Sequence, residues 1–420
     1  MKLHKPKTHW LGILAVLLLN AGMTGAQELD DYIGMALKNS PAIKAQGLAY
    51  EASMQKIPQV RSWADPQVNA SLFINPMMLP MGNQIGNLSV MQMLPRKNEF
   101  NIRESLATGQ ADLNLKEGRI LANDLIYQVT TAWYALVANR EMQALQQRNL
   151  DLLADIKTLA EAQFRQGNAS MTDVLRVDVV KDDIQTNLEI LADEQSAREK
   201  QFNLLLNQDP GTSLKYPDTL EALNAELLPV TTFDGHPQAA LLDQRSEVAN
   251  AIIESTNLSR KPVFGVGLQY TPLYRRKNAS FELPPNTGRD MIMPMATVSI
   301  PIWRKQYDAA VREQHIAQAQ FAEQKEALFL ELRKDEEELG YQLEKTRANL
   351  LKRDRQYATT RQILDLLMSE YQNGSGTMEE LLRVEQQLLN YRLEQIELKM
   401  NYYQLEAKRN MLYGNRNYNY

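Results

Sequence analysis

Ser170 stands three residues before Asp173, and Thr377 stands three before Glu380. Arg176 and Arg383 follow each pair one helical turn later. A hydroxyl followed at this spacing by an acid is the signature of a capped helix start, and it also fixes charges there. The second chemistry-bearing group is methionine: Met77, Met78 and Met81, then Met91 and Met93, then Met291, Met293 and Met295. The last three alternate and so share one face of a strand. Thioethers are soft ligands that suit Cu(I) and Ag(I), which makes Met291, Met293 and Met295 candidate metal ligands. Methionine serves equally as flexible apolar filler. Histidine offers no comparable cluster. There are four, two of them near the N-terminus, and His236 and His315 are far apart in sequence. Cysteine is absent, which excludes disulfides, thiolate metal sites, a cysteine nucleophile and the lipid-bearing N-terminus of a bacterial lipoprotein. No catalytic or cofactor-binding constellation is present, so a non-enzymatic role is expected.

The elements that carry the two acid–arginine sets are repeats of each other. "FRQGNASMTDVLRVDV" from Phe164 aligns without a gap with "YQNGSGTMEELLRVEQ" from Tyr371, about 207 residues later. Gly167 and Gly374 sit where a helix C-terminus takes a left-handed residue. Three residues on, the hydroxyls of Ser170 and Thr377 restart a helix. Each copy therefore reads as the tip of an antiparallel hairpin of helices, at 164–173 and 371–380.

The duplication extends further. "NSPAIKAQ" from Asn39 resembles "GHPQAALL" from Gly235, each with a proline at the head of a helix. These helices are expected at about 35–64, kinked at Pro58, and about 236–259. "SVMQMLPRKN" from Ser89 resembles "TVSIPIWRKQ" from Thr297, and the second copy carries about twelve extra residues between Thr271 and Pro294. Residues 27–207 and 234–420 form the two repeats, joined by a linker at 208–233.

Four strands are expected, at about 66–75, 86–94, 262–271 and 294–302. In "QVNASLFI", Val68, Ala70, Leu72 and Ile74 share a face; in "VFGVGLQY", Phe264, Val266, Leu268 and Tyr270 do. Period two with one apolar face marks a strand, and the lengths are near those that cross a bilayer at a tilt. From about Lys97 to Phe164 and from about Arg304 to Tyr371 there is no proline. Helices of such length reach roughly 100 Å at 1.5 Å per residue. Leu389, Leu393, Ile396, Met400 and Tyr403 follow a heptad seam.

Lys2, Lys5 and Lys7, the apolar run Trp10–Leu19 and the small residues up to Ala26 form an export signal at 1–26. The apolar run is too short for a spanning helix. The net charge of −5 gives no reason to expect nucleic acid. If the strands enter a membrane, their sheet must close, because every backbone group there needs a partner. Four strands cannot close a barrel alone, so several chains must contribute, and three would supply twelve.

This order of elements resembles the TolC family of outer-membrane efflux proteins, over essentially the whole processed chain. The pattern Y-x-x-G-[ST]-x-[ST]-x-x-[DE]-[LV]-L is seen at Tyr371–Leu382, and more loosely at Phe164–Leu175 with Asn168 and Ala169. The resemblance implies a mainly α chain with a small β part. A homotrimer would complete a twelve-stranded β-barrel in the outer membrane of a Gram-negative bacterium and a long coiled-coil α-barrel in the periplasm. It implies a passive duct without cofactors, exporting small molecules or metal ions, with a periplasmic adaptor and an inner-membrane pump as partners. A duct for type I protein secretion is the alternative within that class; a periplasmic coiled-coil adaptor or a structural protein is the alternative outside it. The adaptor would contact Gly167, Asn168, Ala169 and Ser170 with Gly374, Ser375, Gly376 and Thr377. Asp173, Arg176, Glu380 and Arg383 would constrict the channel. Well-studied members carry acids at the positions of Glu380 and Arg383; here the second is arginine, so a purely negative ring is not expected.

Overall fold

The computed structural model describes residues 24–79, 82–223, 232–233, 235–275, 282, 285 and 287–414. The basic and apolar segments of the export signal expected at 1–26, Met81, part of the 208–233 linker and part of the Thr271–Pro294 insertion lie outside these residues. Helix α1 runs Thr24–Asn39, α2 Pro41–Met54 and α3 Lys56–Val60. Strands β1 (Gln67–Leu79) and β2 (Gly82–Met93) follow, then the 67-residue α4 (Glu99–Arg165) and α5 (Met171–Leu205). The second half repeats the order: α6 (Pro237–Ser259), β3 (Val263–Thr271), β4 (Leu273–Tyr274), β5 (Met291–Ser299), α7 (Lys305–Gln372, 68 residues) and α8 (Met378–Leu412).

The first helical stretch differs from the single kinked helix expected at 35–64. It is broken twice. Ser40 ends α1, and its hydroxyl accepts from the Ile43 amide at 3.4 Å, starting α2 with Pro41 in its first turn. The second break follows from Pro58, whose ring clashes with the carbonyl four residues back, and α2 stops at that residue, Met54. Pro237 opens α6 in the same way that Pro41 opens α2.

Two compact units divide the described residues. One takes those up to Ala45 with Gly118–Ala239 and Ala327 onward; the other takes Gln46–Glu117 and Ala240–Glu326. The units cut across the two repeats, because each long helix begins in one unit and ends in the other.

In the first unit the core is helical. Leu29 and Ile33 of α1, Ile126, Trp133 and Leu136 of α4, Phe202 of α5 and Ile396 and Tyr403 of α8 form one buried cluster. The heptad seam of α8 is packed as its spacing implies: Leu389, Ile396 and Tyr403 are buried, with Leu393 and Met400 packed against the same clusters.

The second unit holds the sheet. All its pairings are antiparallel, in the order β1-β2-β3-β5, with β4 also on β2. The register of β2 slips by one residue between its pairs with β3 (Leu88↔Tyr270) and with β4 (Gln84↔Leu273). Pro272 lies in that slip, where a residue without an N–H is tolerated. β3 and β4 thus act as one bulged strand, which preserves the expected four. The last strand begins at Met291 and ends at Ser299, rather than spanning 294–302, because its partner β3 begins at Val263, opposite Ser299. Ile300 and Ile302 lie beyond it.

Register places the apolar residues of all four strands on one face: Val68, Leu72, Leu88, Val90, Leu268 and Val298 among them. That face is uncovered; Leu72 is 83% exposed and Val68 63%. Among the described residues, the outer edges, β1 and β5, carry no further strand. No helix among the described residues is long and apolar enough to cross a membrane.

Candidate functional site

Both hairpin tips end their first helix in the same way. Gly167 and Gly374 each take φ +78. The Asn168 amide donates to the Gln163 carbonyl at 2.9 Å and Gly167 to Phe164 at 3.0 Å; Ser375 donates to Glu370 at 3.0 Å and Gly374 to Tyr371 at 3.1 Å. Each is a Schellman closure, which needs a left-handed residue and so a glycine. The restarts differ. Ser170 Oγ accepts from the Asp173 amide at 3.2 Å, while the Ser170 amide donates to Asp173 Oδ2 at 2.9 Å, a complete capping box. Thr377 Oγ1 accepts from Glu380 N at 3.4 Å, but the Glu380 carboxylate lies 3.6 Å from Arg383 in place of a reciprocal bond.

The two tips meet. Leu153, Ile156 and Ala160 of α4, Val174 and Val177 of α5, Leu364 of α7 and Leu381 and Leu388 of α8 share one apolar cluster. Gln163 Nε2 donates to the Gln372 carbonyl at 2.8 Å, and Asn168 Nδ2 to Gln163 Oε1 at 3.0 Å. An open groove of about 700 Å³ is lined by residues of both tips, and Asp173, Arg176, Glu380 and Arg383 all face it. The structure therefore brings the four charged positions singled out in the sequence to one place. Their pairing differs between the two sets: Glu380 keeps to its own Arg383, while Arg176 turns to the other hairpin. Arg176 bonds Glu379 across the hairpins at 2.8 Å, with the partners 203 residues apart. Glu379 was not singled out in sequence, because nothing local marks its partner.

The equivalence of the repeats ends at burial. Phe164, Met171 and Leu175 are 44, 50 and 53% exposed, whereas Tyr371, Met378 and Leu382 are 4, 1 and 5% exposed. The α7–α8 tip is packed inside the chain, and the α4–α5 tip leaves its apolar side open. Val179 continues that open stripe on α5, and Leu351 and Leu366 are similarly uncovered on α7.

Beneath the tips, Glu385 of α8 is 1% exposed. Asn149 Nδ2 of α4 donates to its Oε1, while Oε2 has no hydrogen-bond partner among the described residues. Burial pushes its carboxyl up to about 7, and the Asn149 bond opposes that shift. The spacing held a signal for Glu385: it lies three to four residues from Leu381, Leu382, Leu388 and Leu389, on the face they bury.

Met91, Met93, Met291, Met293 and Met295 lie on the face opposite the apolar one. Met91 pairs with Gly267 and Met93 with Gly265; Met295 pairs with Gly267 from the other side, and Met293 pairs with Gln269. Met291, Met293 and Met295 share a face, as their alternation requires, with Met291 opposite Thr271.

Among the described residues no three His, Cys, Asp or Glu side chains are grouped to hold a metal. His236 is buried, and its Nδ1 accepts from the Gln238 amide at 3.3 Å; burial lowers its pKa. His315 Nδ1 lies 3.3 Å from Gln318 Oε1.

No family model matches the chain, and no curated protein matches it in sequence. Solved structures do. The structure of CusC, described in terms of folding and transmembrane channel formation, superposes with a TM-score of 0.71 at 15% identity, covering 94% of each chain. The outer membrane protein VceC of Vibrio cholerae gives 0.69 at 14% identity, over 93% of this chain and 96% of that one. The open MtrE outer membrane channel of Neisseria gonorrhoeae gives 0.67 at 14%, over 92% and 89%. These likenesses establish the fold: mainly helical, with a small open sheet, as the resemblance in sequence implied.

Proposed function

We propose that this chain is one protomer of a homotrimeric, non-enzymatic outer-membrane duct. The observation that carries this reading is the sheet: among the described residues, four antiparallel strands with an uncovered apolar face and two unpaired edges. Exposed edges and an exposed apolar face are a liability in water. Lipid against the face and a neighbouring chain at each edge remove both. Three copies supply the twelve strands of a barrel wide enough for a lumen. The uncovered apolar stripes of α5 and α7 support the same assembly, since each would pack on a neighbouring protomer. The fold shared with the channels of Vibrio cholerae and Neisseria gonorrhoeae agrees with it.

In this reading the sheet spans the outer membrane of a Gram-negative bacterium, reached by way of the export signal at 1–26, and the hairpin tips stand in the periplasm. The tip residues Gly167 to Ser170 and Gly374 to Thr377 contact a periplasmic adaptor. An inner-membrane pump supplies the energy, and the duct passes small molecules or metal ions. Asp173, Arg176, Glu380 and Arg383, with Glu379, constrict the tips by pairing opposite charges rather than by a negative ring.

The test is conductance in planar bilayers. Arg176→Ala removes the tie between hairpins. An exposed pair of this kind is worth about 0.2–1 kcal/mol, and three act together in a trimer, so the open population should rise roughly 3-fold to 160-fold. A wild-type protein that forms no channel would overturn the duct. A channel that is indifferent to Arg176→Ala would remove these residues from its constriction.

A further inference from the structure

Five methionines share the face of the sheet that the duct turns toward its lumen: Met91, Met93, Met291, Met293 and Met295. The strand between those of Met91, Met93 and Met295 is floored by glycine. A Cβ built on Gly267 would lie 3.0 Å from Met91 Sδ, and one on Gly265 would lie 2.7 Å from Met93 Sδ. Both sulfurs of β2 therefore lean over β3, into space that a side chain at Gly265 or Gly267 would fill; over Gly265, Met93 shares it with the Thr297 methyl, which lies 2.7 Å from the same point. Met295 stands on β5 directly opposite Gly267, on the same face. A methionine side chain reaches about one strand spacing, roughly 4.8 Å, so thioethers from the two flanking strands can meet above Gly267.

We propose that Met91, Met93 and Met295 form a binding site for a soft monovalent cation, Cu(I) or Ag(I), above Gly265 and Gly267. The inference rests on the duct reading, which sets this face toward the lumen and repeats the site three times around it. Apolar filler does not explain the cluster, because the neighbours on this face are polar: Gln67, Ser89, Gln269, Thr297 and Ser299. Thioether donors carry no charge and no proton, so they select soft ions over Zn(II), Mg(II) or Ca(II) and hold them without a counter-anion. A neutral site of this kind binds weakly enough to release its ion, as a wall lining a path must. Met293, beside Gln269 and two residues from Met295, is placed to receive the ion next.

The experiment is calorimetric titration of the purified full-length assembly in detergent with Ag(I), with Zn(II) as comparison. The conductance of the same preparation is measured in bilayers. One Ag(I) per chain is expected and no Zn(II). Met91→Leu with Met295→Leu keeps volume and removes both sulfurs; it should weaken Ag(I) binding at least tenfold and leave conductance unchanged. If the double variant fails to assemble, Met295→Leu alone should weaken binding severalfold. Met142→Leu, in the helical core, should bind as the wild type does. A conducting wild-type channel that ignores Ag(I), or a Leu variant that binds it equally, overturns the site and leaves the duct standing. A preparation that never conducts sinks the duct reading itself.

Discussion

Leu268→Arg should abolish assembly in the outer membrane, while Gln269→Arg, one residue away, should leave it intact. Leu268 lies in mid-strand on β3, between Val90 of β2 and Pro294 of β5, on the uncovered apolar face. If that face meets lipid, arginine there costs about 2–4 kcal/mol per protomer near the bilayer midplane, and the trimer incurs the cost three times. Gln269 points to the opposite face, where an added charge stays in water. The pair is read by fractionating cells and comparing the trimer recovered from outer membranes. Two equally tolerated variants would mean that the apolar face is covered by protein rather than lipid.

Glu385→Gln should stabilise the helical unit above neutral pH and flatten its dependence on pH. The folded carboxyl titrates at about 7, against 4.5 for the free side chain. A raised folded pKa makes the stability contribution complete below about 4.5, and it is lost as pH rises through about 7. At one pKa unit per 1.36 kcal/mol, the ionised wild type gives up as much as about 3 kcal/mol by pH 8. Glutamine keeps the volume and the acceptor for Asn149 Nδ2 but cannot ionise. Thermal midpoints at pH 5 and pH 8 decide it: the wild type should melt lower at pH 8, and Glu385→Gln should not. Parallel pH profiles would show that Glu385 is hydrated in the assembly.

Much of the architecture was legible because it is local and periodic. Proline-free stretches gave the long helices, Gly167 and Gly374 the turns, and Ser170 with Asp173 the capped restart. Alternation gave the strands, though their ends follow partners rather than propensity. β1 continues to Leu79 through a bulge after Leu72, and β5 stops opposite the start of β3. The pairings that define the tip were not legible. Arg176 meets Glu379 and Asn149 meets Glu385 only because two hairpins from distant parts of the chain pack together. The glycine floor under Met91 and Met93 likewise depends on register between residues 176 and 172 apart, which no single segment encodes. The different burial of Phe164 and Tyr371 is another such case: matching residues in matching motifs acquire different neighbours once folded.

The direct test of the duct is a native mass spectrum of the protein extracted from outer membranes. Three copies of the processed chain in one particle are expected, with no smaller folded species. A soluble periplasmic monomer, or an assembly of any other number, would contradict it.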